Sequence, residues 1–209
     1  MARPFDDATR RNIAELCAAF TRLAPMDAAP TLKRAAVAIA LTEGDDGTDT
    51  AFLLTRRSAS LRAHSAQWAL PGGRCDAGET QAQAALRELD EELGLSLGEN
   101  AVLGVLDDYP TRSGYLITPV VVWAGSKAEI TPNPDEVASV HRIGLDAVEA
   151  ADAFTFVSIP ESVRHVIRFR LGGQLIHAPT AALIYQFSEV LAGRATRVAD
   201  LEQPVFAWK

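Results

Sequence analysis

Apolar residues recur along this chain at two spacings, and the switches between them predict its elements. Over residues 7–23, Ile13, Leu16, Cys17, Phe20 and Leu23 follow three- and four-residue steps, the period of an amphipathic helix. Two prolines make 24–31 a linker. Residues 35–41 are apolar and β-compatible, E-G-D-D-G-T-D at 43–49 is a polar turn, and 51–55 return as a strand, so the pair reads as a hairpin. From Thr80 the helical period returns: Ala82, Ala85, Leu86, Leu89 and Leu93 make one stripe, and Gly94 ends it. Beyond it, 101–106, 115–123, 137–143, 154–159 and 163–171 read as strands. Loops fall at 107–114 and 131–136, a short helix at 146–151, and a turn at Gly172-Gly173. Ala181, Leu183, Ile184, Phe187, Val190 and Leu191 predict a last helix over 180–191, followed by a tail at 201–208 apolar enough to dock. Strands in the middle with flanking helices predict a layered α/β or α+β domain.

The 80–94 helix carries its acids together. Glu88, Glu91 and Glu92 stand at i, i+3 and i+4, so they share a face and repel one another. No Lys or Arg lies four residues further on to compensate, which points to a bound cation. All-oxygen ligands suit Mg²⁺ or Mn²⁺ rather than Zn²⁺. Glu92 lies beside the Leu89 stripe and is expected to be partly buried, where an unpaired charge is costly. A solvated acidic helix face is the other reading of the same spacing. Just before it, Pro71-Gly72-Gly73 marks a backbone turn that side chains would obstruct, and Gly78 closes the loop.

Upstream, R-R-S-A-S-L-R-A-H-S-A-Q-W-A-L at 56–70 brings Arg56, Arg57, Arg62, His64 and Gln67 close to that turn. Guanidinium forks suit phosphate oxygens, so the stretch reads as an anion pocket or as a surface basic cluster. His64 reads as structural. Cys75 reads as a small filler or a reactive thiol.

The run from Gly73 to Leu95 resembles the Nudix box, G-x5-E-x7-R-E-U-x-E-E-x-G-U with U aliphatic. Gly73, Glu79, Arg87, Glu88, Leu89, Glu91, Glu92, Gly94 and Leu95 fill every defined position. The resemblance implies an α/β/α sandwich with a central mixed β-sheet. It implies metal ligands Glu88, Glu91 and Glu92, with Arg87 paired to Glu79 to brace the loop, and Glu91, Glu79 and Arg87 as the catalytic set. The preceding stretch resembles the signature of the coenzyme A diphosphatase branch, L-L-T-x-R-S-x3-R-x3-G-x3-F-P-G-G. Leu53, Leu54, Thr55, Arg57, Ser58, Arg62, Pro71, Gly72 and Gly73 match it. Ala66 stands where that signature has Gly, and Leu70 where it has Phe. Thr111, Ser113, Gly114 and Pro119 also look like that branch. Arg57, Arg62, Gly72 and Gly73 are then the substrate-binding positions.

The activity implied is Mg²⁺- or Mn²⁺-dependent hydrolysis of a nucleoside diphosphate linked to another group. Coenzyme A or an acyl derivative leads as substrate. ADP-ribose or NADH is the alternative, as is a Nudix-fold ligand sensor without turnover. The resemblance makes Asp135 and Glu136 candidates for a loop acid that reaches the site, with an ordinary acidic loop as the other reading, and a glutamate or such a loop acid takes the water's proton. At 209 residues, with 48% hydrophobic and 22% charged, the chain is expected to form one Nudix domain over 1–209, with the N-terminal helix and the C-terminal helix and tail as extensions. Net charge −7 argues against nucleic-acid or anionic-membrane partners and leaves a small-molecule nucleotide substrate. The resemblance leaves room for a homodimer. The two cysteines lack metal-ligand spacing and no disulfide framework is expected. The start does not read as a signal peptide and no run approaches a membrane span, so a cytoplasmic location is expected.

Overall fold

The computed structural model describes residues 3–23, 32–58, 67–126 and 129–204. Its central strand, β1 (Lys33–Glu43), is buried along most of its length. Alternation puts Ala36, Ala38 and Ala40 on one face and Ile39 and Leu41 on the other. On one side β1 runs parallel to β7 (Tyr115–Gly125), with Ala38 opposite Val120. On the other it forms the expected antiparallel hairpin with β2 (Thr50–Arg57), with Leu41 opposite Phe52.

That hairpin opens like a fork. β1 and β2 pair only near the turn, and further along each takes a different partner. β3 (Trp68–Ala69) pairs with β2, and β4 (Gly72–Arg74) pairs with β1. Residues 68–74 therefore fill the gap in the middle of the sheet. The glycine pair is thus a short strand rather than the free-standing turn its composition predicts. The close approach that would obstruct a side chain is present: a Cβ on Gly72, at φ +153°, would lie 2.3 Å from the Ala36 carbonyl oxygen. β5 (Val102–Val105) and β6 (Tyr109–Pro110) add to β7, and β8 (Val137–Gly144) adds to β2. Among the described residues this makes an eight-stranded mixed sheet.

Helices cover both faces. α2 (Gln81–Leu93) lays Ala84, Ala85, Leu89 and Leu93 on Ala36, Ala38, Ala40, Val120 and Val122. Alanines on both sides let the helix sit close to the sheet. Thr80 and Gln83 form a reciprocal capping box, and Gly94 closes the helix in the left-handed region at φ +68°. α1 (Asp7–Ala19) and α4 (Thr180–Leu191) cover the opposite face, over Ile39, Leu41, Phe52, Leu54 and Val121. The result is the α/β/α sandwich with a central mixed sheet.

α1 stops at Ala19, four residues before the end its apolar spacing predicts. Beyond it the chain is drawn to the 107–108 acids. Arg22 Nη2 donates to Asp108 Oδ1 at 2.5 Å, and the Leu23 N–H donates to Asp107 Oδ1 at 2.7 Å, leaving the Leu23 side chain 55% exposed. α3 (Leu145–Glu149) is the short helix. A three-stranded antiparallel sheet follows, from β9 (Phe154–Ile159), β10 (Ser162–Leu171) and β11 (Gln174–His177). β11 was not expected; Gly172 and Gly173 turn β10 back onto it. Leu201, Glu202 and Gln203 of the tail dock, Tyr109 Oη donating to the Leu201 carbonyl at 2.8 Å. Residues 205–208 and the 24–31 linker lie outside the described residues.

Candidate active site

Helix α2 presents Glu88 and Glu92 to the 72–73 backbone in the sheet's fork. Glu92 is 3% exposed, deeper than the partial burial expected of it. Burial, above all, pushes its carboxyl up to about 8; Arg57 pulls it down, while Glu88 and Glu136 push it further up. Arg57 Nη1 stands 3.9 Å from Glu92 Oε1. Arg57 Nε is buried and has no hydrogen-bond partner among the described residues. Glu88 is also raised, by burial first, with Arg87 opposing. Gly73 is what allows Glu88 its place: a Cβ there would lie 2.2 Å from Glu88 Oε1.

Arg87 is the cation of this face. Its Nε donates to Glu79 Oε1 at 3.0 Å and its Nη2 to Glu79 Oε2 at 3.2 Å. Nη2 also reaches the Arg74 carbonyl at 2.9 Å, and Glu79 accepts the Asp76 N–H at 2.8 Å. One guanidinium thus ties α2 to both ends of the 74–79 loop. The same group corrects the expectation that the acids lack compensation. Arg87 Nη1 donates to Glu88 at 2.9 Å and to Glu91 at 2.8 Å, so the compensating charge lies on the N-terminal side. Glu79 is held below the usual carboxylate range by Arg87.

Glu88, Glu91 and Glu92 do not converge here. Among the described residues no three such side chains are placed to hold one metal ion. Glu88 and Glu91 instead pair with Arg87, and Glu92 lies beside Arg57. The donor set nevertheless fits a hard cation: it is all carboxylate oxygen, and Glu88 and Glu92 are pushed toward neutrality by burial, a penalty that a cation between them removes.

A cavity of about 420 Å³ opens beside these acids. Arg57, Leu70, Gly72 and Gly73 line it, with Trp68 and Tyr115 as aromatic walls. Thr111, Ser113 and Gln203 add polar atoms. Nothing local in the sequence marks Trp68, Tyr115, Gln203 or Arg74, which also lines the cavity. Leu70 is also part of the core, 4% exposed. Of the two loop acids, Glu136 is close enough to raise both Glu88 and Glu92. Asp135 N–H instead bonds Asn133 Oδ1 at 3.1 Å. Burial and Glu79 push the Cys75 thiol up, which favours its protonated form and the small-filler reading. Arg62, His64 and Ala66 lie outside the described residues.

The NUDIX domain family matches residues 32–162, and the chain belongs to it. It is a Nudix hydrolase, an enzyme of the class that hydrolyses nucleoside diphosphate derivatives, small nucleotides among them. It is 36% identical over 146 residues to the Nudix hydrolase NudL of Pectobacterium atrosepticum, which covers 68% of this chain and 76% of that protein. Nudix hydrolase 22, chloroplastic, of Arabidopsis thaliana is 39% identical over 111 residues, 52% of this chain and 36% of that protein. Among solved structures, the Nudix hydrolase RenU of M. smegmatis shares the fold, with TM-score 0.51, 24% identity and coverage of 77% of this chain and 86% of that one. Among the described residues no helix is long and apolar enough to cross a membrane.

Proposed function

We propose that this enzyme hydrolyses the diphosphate bond of coenzyme A or its acyl derivatives, giving adenosine 3′,5′-bisphosphate and a 4′-phosphopantetheine. The observation that carries the reading is Arg57. It belongs to the stretch that resembles the coenzyme A branch and lines the cavity, with Nη1 3.9 Å from Glu92 and a buried Nε without a partner among the described residues. An unpartnered buried donor is costly, and a phosphate oxygen is the partner it suits.

Glu88, Glu91 and Glu92 would hold Mg²⁺ or Mn²⁺, which when bound neutralises phosphate charge and lowers the pKa of water. Arg57 takes an oxygen of the diphosphate, and the Gly72-Gly73 backbone leaves room for the substrate to approach. Arg62 is assigned to the same anionic end from sequence. Arg87 and Glu79 are positioning residues, fixing the 74–79 loop against α2. Water adds to one phosphorus in line, the bridging P–O bond breaks, and the bridging oxygen leaves with the other phosphate. Glu91, the most exposed of the three acids, takes the water's proton on a carboxylate oxygen. Residues 1–209 are read as one Nudix domain with helical extensions at each end.

Incubation of the purified chain with coenzyme A, with Mg²⁺, with Mn²⁺ and with chelator, tests the proposal. Adenosine 3′,5′-bisphosphate and 4′-phosphopantetheine are expected in equal amounts, and only with metal. Intact coenzyme A under all conditions would overturn it.

A further inference from the structure

A second cavity, of about 440 Å³, lies against the 74–79 loop, and Lys33, Arg34 and Arg74 line it. Sheet register brings them together: Lys33 at the start of β1 pairs with Tyr115, and Ala35 pairs with Arg74 of β4. The acids of this cavity are Asp76 and Glu79, and Glu79 is already engaged by Arg87. Three cations against one unengaged acid give a positive pocket in a chain of net charge −7. Among the described residues neither Lys33 nor Arg34 has a carboxylate within ion-pair distance.

Arg74 stands in the walls of both cavities. Its Nε donates to Tyr115 Oη at 2.9 Å, Nη2 also donates to that oxygen, and the guanidinium lies 5.3 Å from the Tyr115 ring centre. This fixes the fork on one edge and leaves Nη1 for another acceptor. A preorganised guanidinium flanked by two further cations suits a phosphate monoester, whose oxygens accept several charge-assisted bonds at once.

We propose that Lys33, Arg34 and Arg74 form a phosphate-monoester subsite, separate from Arg57 at the diphosphate. Given the coenzyme A reading above, on which this identification rests, the group bound there is the ribose 3′-phosphate. The two cation sets then divide the work: Arg57 faces the bond that breaks, and the second cavity reads a phosphate that does not react.

The test is equilibrium binding of adenosine 3′,5′-bisphosphate and of adenosine 5′-monophosphate to the full chain, followed by calorimetry. The wild type is expected to bind the bisphosphate at least about tenfold more tightly, the size of one charge-assisted contact or more. Lys33→Ala/Arg34→Ala should bind the two nucleotides alike. Arg74→Gln, measured the same way, should show a reduced preference and serves if the double variant fails to fold. Equal affinities in the wild type, or an undiminished preference in the variants, would overturn the subsite. Coenzyme A cleavage is scored separately. A bisphosphate preference that depends on Lys33 and Arg34, in an enzyme that leaves coenzyme A intact, would keep the subsite and reject the substrate reading. Coenzyme A cleavage without that preference would do the reverse.

Discussion

Arg57 of β2 and Glu92 of α2 face each other at 3.9 Å, Nη1 to Oε1, across the fork where the 68–74 segment enters the sheet. The separation is longer than a charge-assisted hydrogen bond, and Glu92 is almost wholly buried. Burial therefore outweighs attraction, and the carboxyl rises to about 8. A buried acid held near neutrality beside a guanidinium whose Nε lacks a partner among the described residues is a local instability that binding can relieve. Such perturbed groups gather at functional sites.

Glu92→Gln separates stability from activity. The folded-state value of about 8 lies above the ordinary 4.5, so stability from this group is full below pH 4.5 and is lost as pH rises through 8. With metal stripped by chelator, the wild type should melt at a lower temperature near pH 9 than near pH 5 through this group. Glu92→Gln should narrow that difference and melt higher than wild type near pH 9. Turnover should fall at least about a hundredfold. Thermal scans at both pH values and steady-state kinetics check this, and near-normal turnover would remove Glu92 from the site.

Arg87→Ala releases the 74–79 loop. It removes two bonds to Glu79, one to the Arg74 carbonyl and those to Glu88 and Glu91. The expected loss is about 1–3 kcal/mol, the range for charge-assisted bonds at a partly exposed site. Catalytic efficiency should fall as well, because the repulsion among the glutamates is then unopposed. Arg87→Lys should recover little, since an ammonium cannot span the carboxylate as a fork does. Urea denaturation and kcat/KM of both variants check it.

Gly72→Ala probes the fork itself. A Cβ would meet the Ala36 carbonyl oxygen at 2.3 Å and Val37 Cα at 2.6 Å, both backbone atoms that cannot turn aside. Overpacking of this kind costs about 1–3 kcal/mol, to which the positive φ adds strain. Denaturant midpoints should fall accordingly; an unchanged midpoint would mean that β4 does not pack this closely on β1.

Glu202→Gln tests the docked tail. Glu202 accepts from Arg112 Nε and Nη2 and from Ser162 Oγ, each at 2.6 Å. Arg112 first, then Ser162 and the Gln203 N–H, lower its carboxyl to about 2 from 4.5. The stability this provides is present above pH 4.5 and is lost as pH falls through 2. The substitution should cost about 1.5–3 kcal/mol at neutral pH and flatten the acid side of the stability profile. Because Gln203 lines the active-site cavity, KM should rise more than kcat falls.

What the sequence could convey was local. The 81–93 helix is written in its own residues: a Thr80–Gln83 capping box, an apolar stripe and a terminal glycine, so its ends and its acidic face were legible. Strand β9 and helix α4 likewise occupy the residues that their patterns predict. The alanine-rich β1 read as a strand, but its parallel pairing with β7 leaves no local mark. Strands β3, β4 and β11 are two to four residues long and exist only through their partners. The end of α1 is not legible because Leu23 continues the apolar period while Asp107, far along the chain, takes its N–H. The acidic cluster is legible, but its compensation is not, because Arg87 precedes the acids in sequence and folds back over Glu88 and Glu91. The aromatic walls Trp68 and Tyr115, and Gln203, meet only in three dimensions.

The most direct measurement is a comparison of four substrates under one Mg²⁺ condition, with products identified. Coenzyme A, dephospho-coenzyme A, ADP-ribose and NADH share a diphosphate, and only coenzyme A bears the 3′-phosphate. The account predicts that coenzyme A is cleaved with the highest catalytic efficiency, about ten- to a hundredfold above its dephospho form, the worth of one charge-assisted contact. Faster cleavage of ADP-ribose or NADH than of coenzyme A would contradict it.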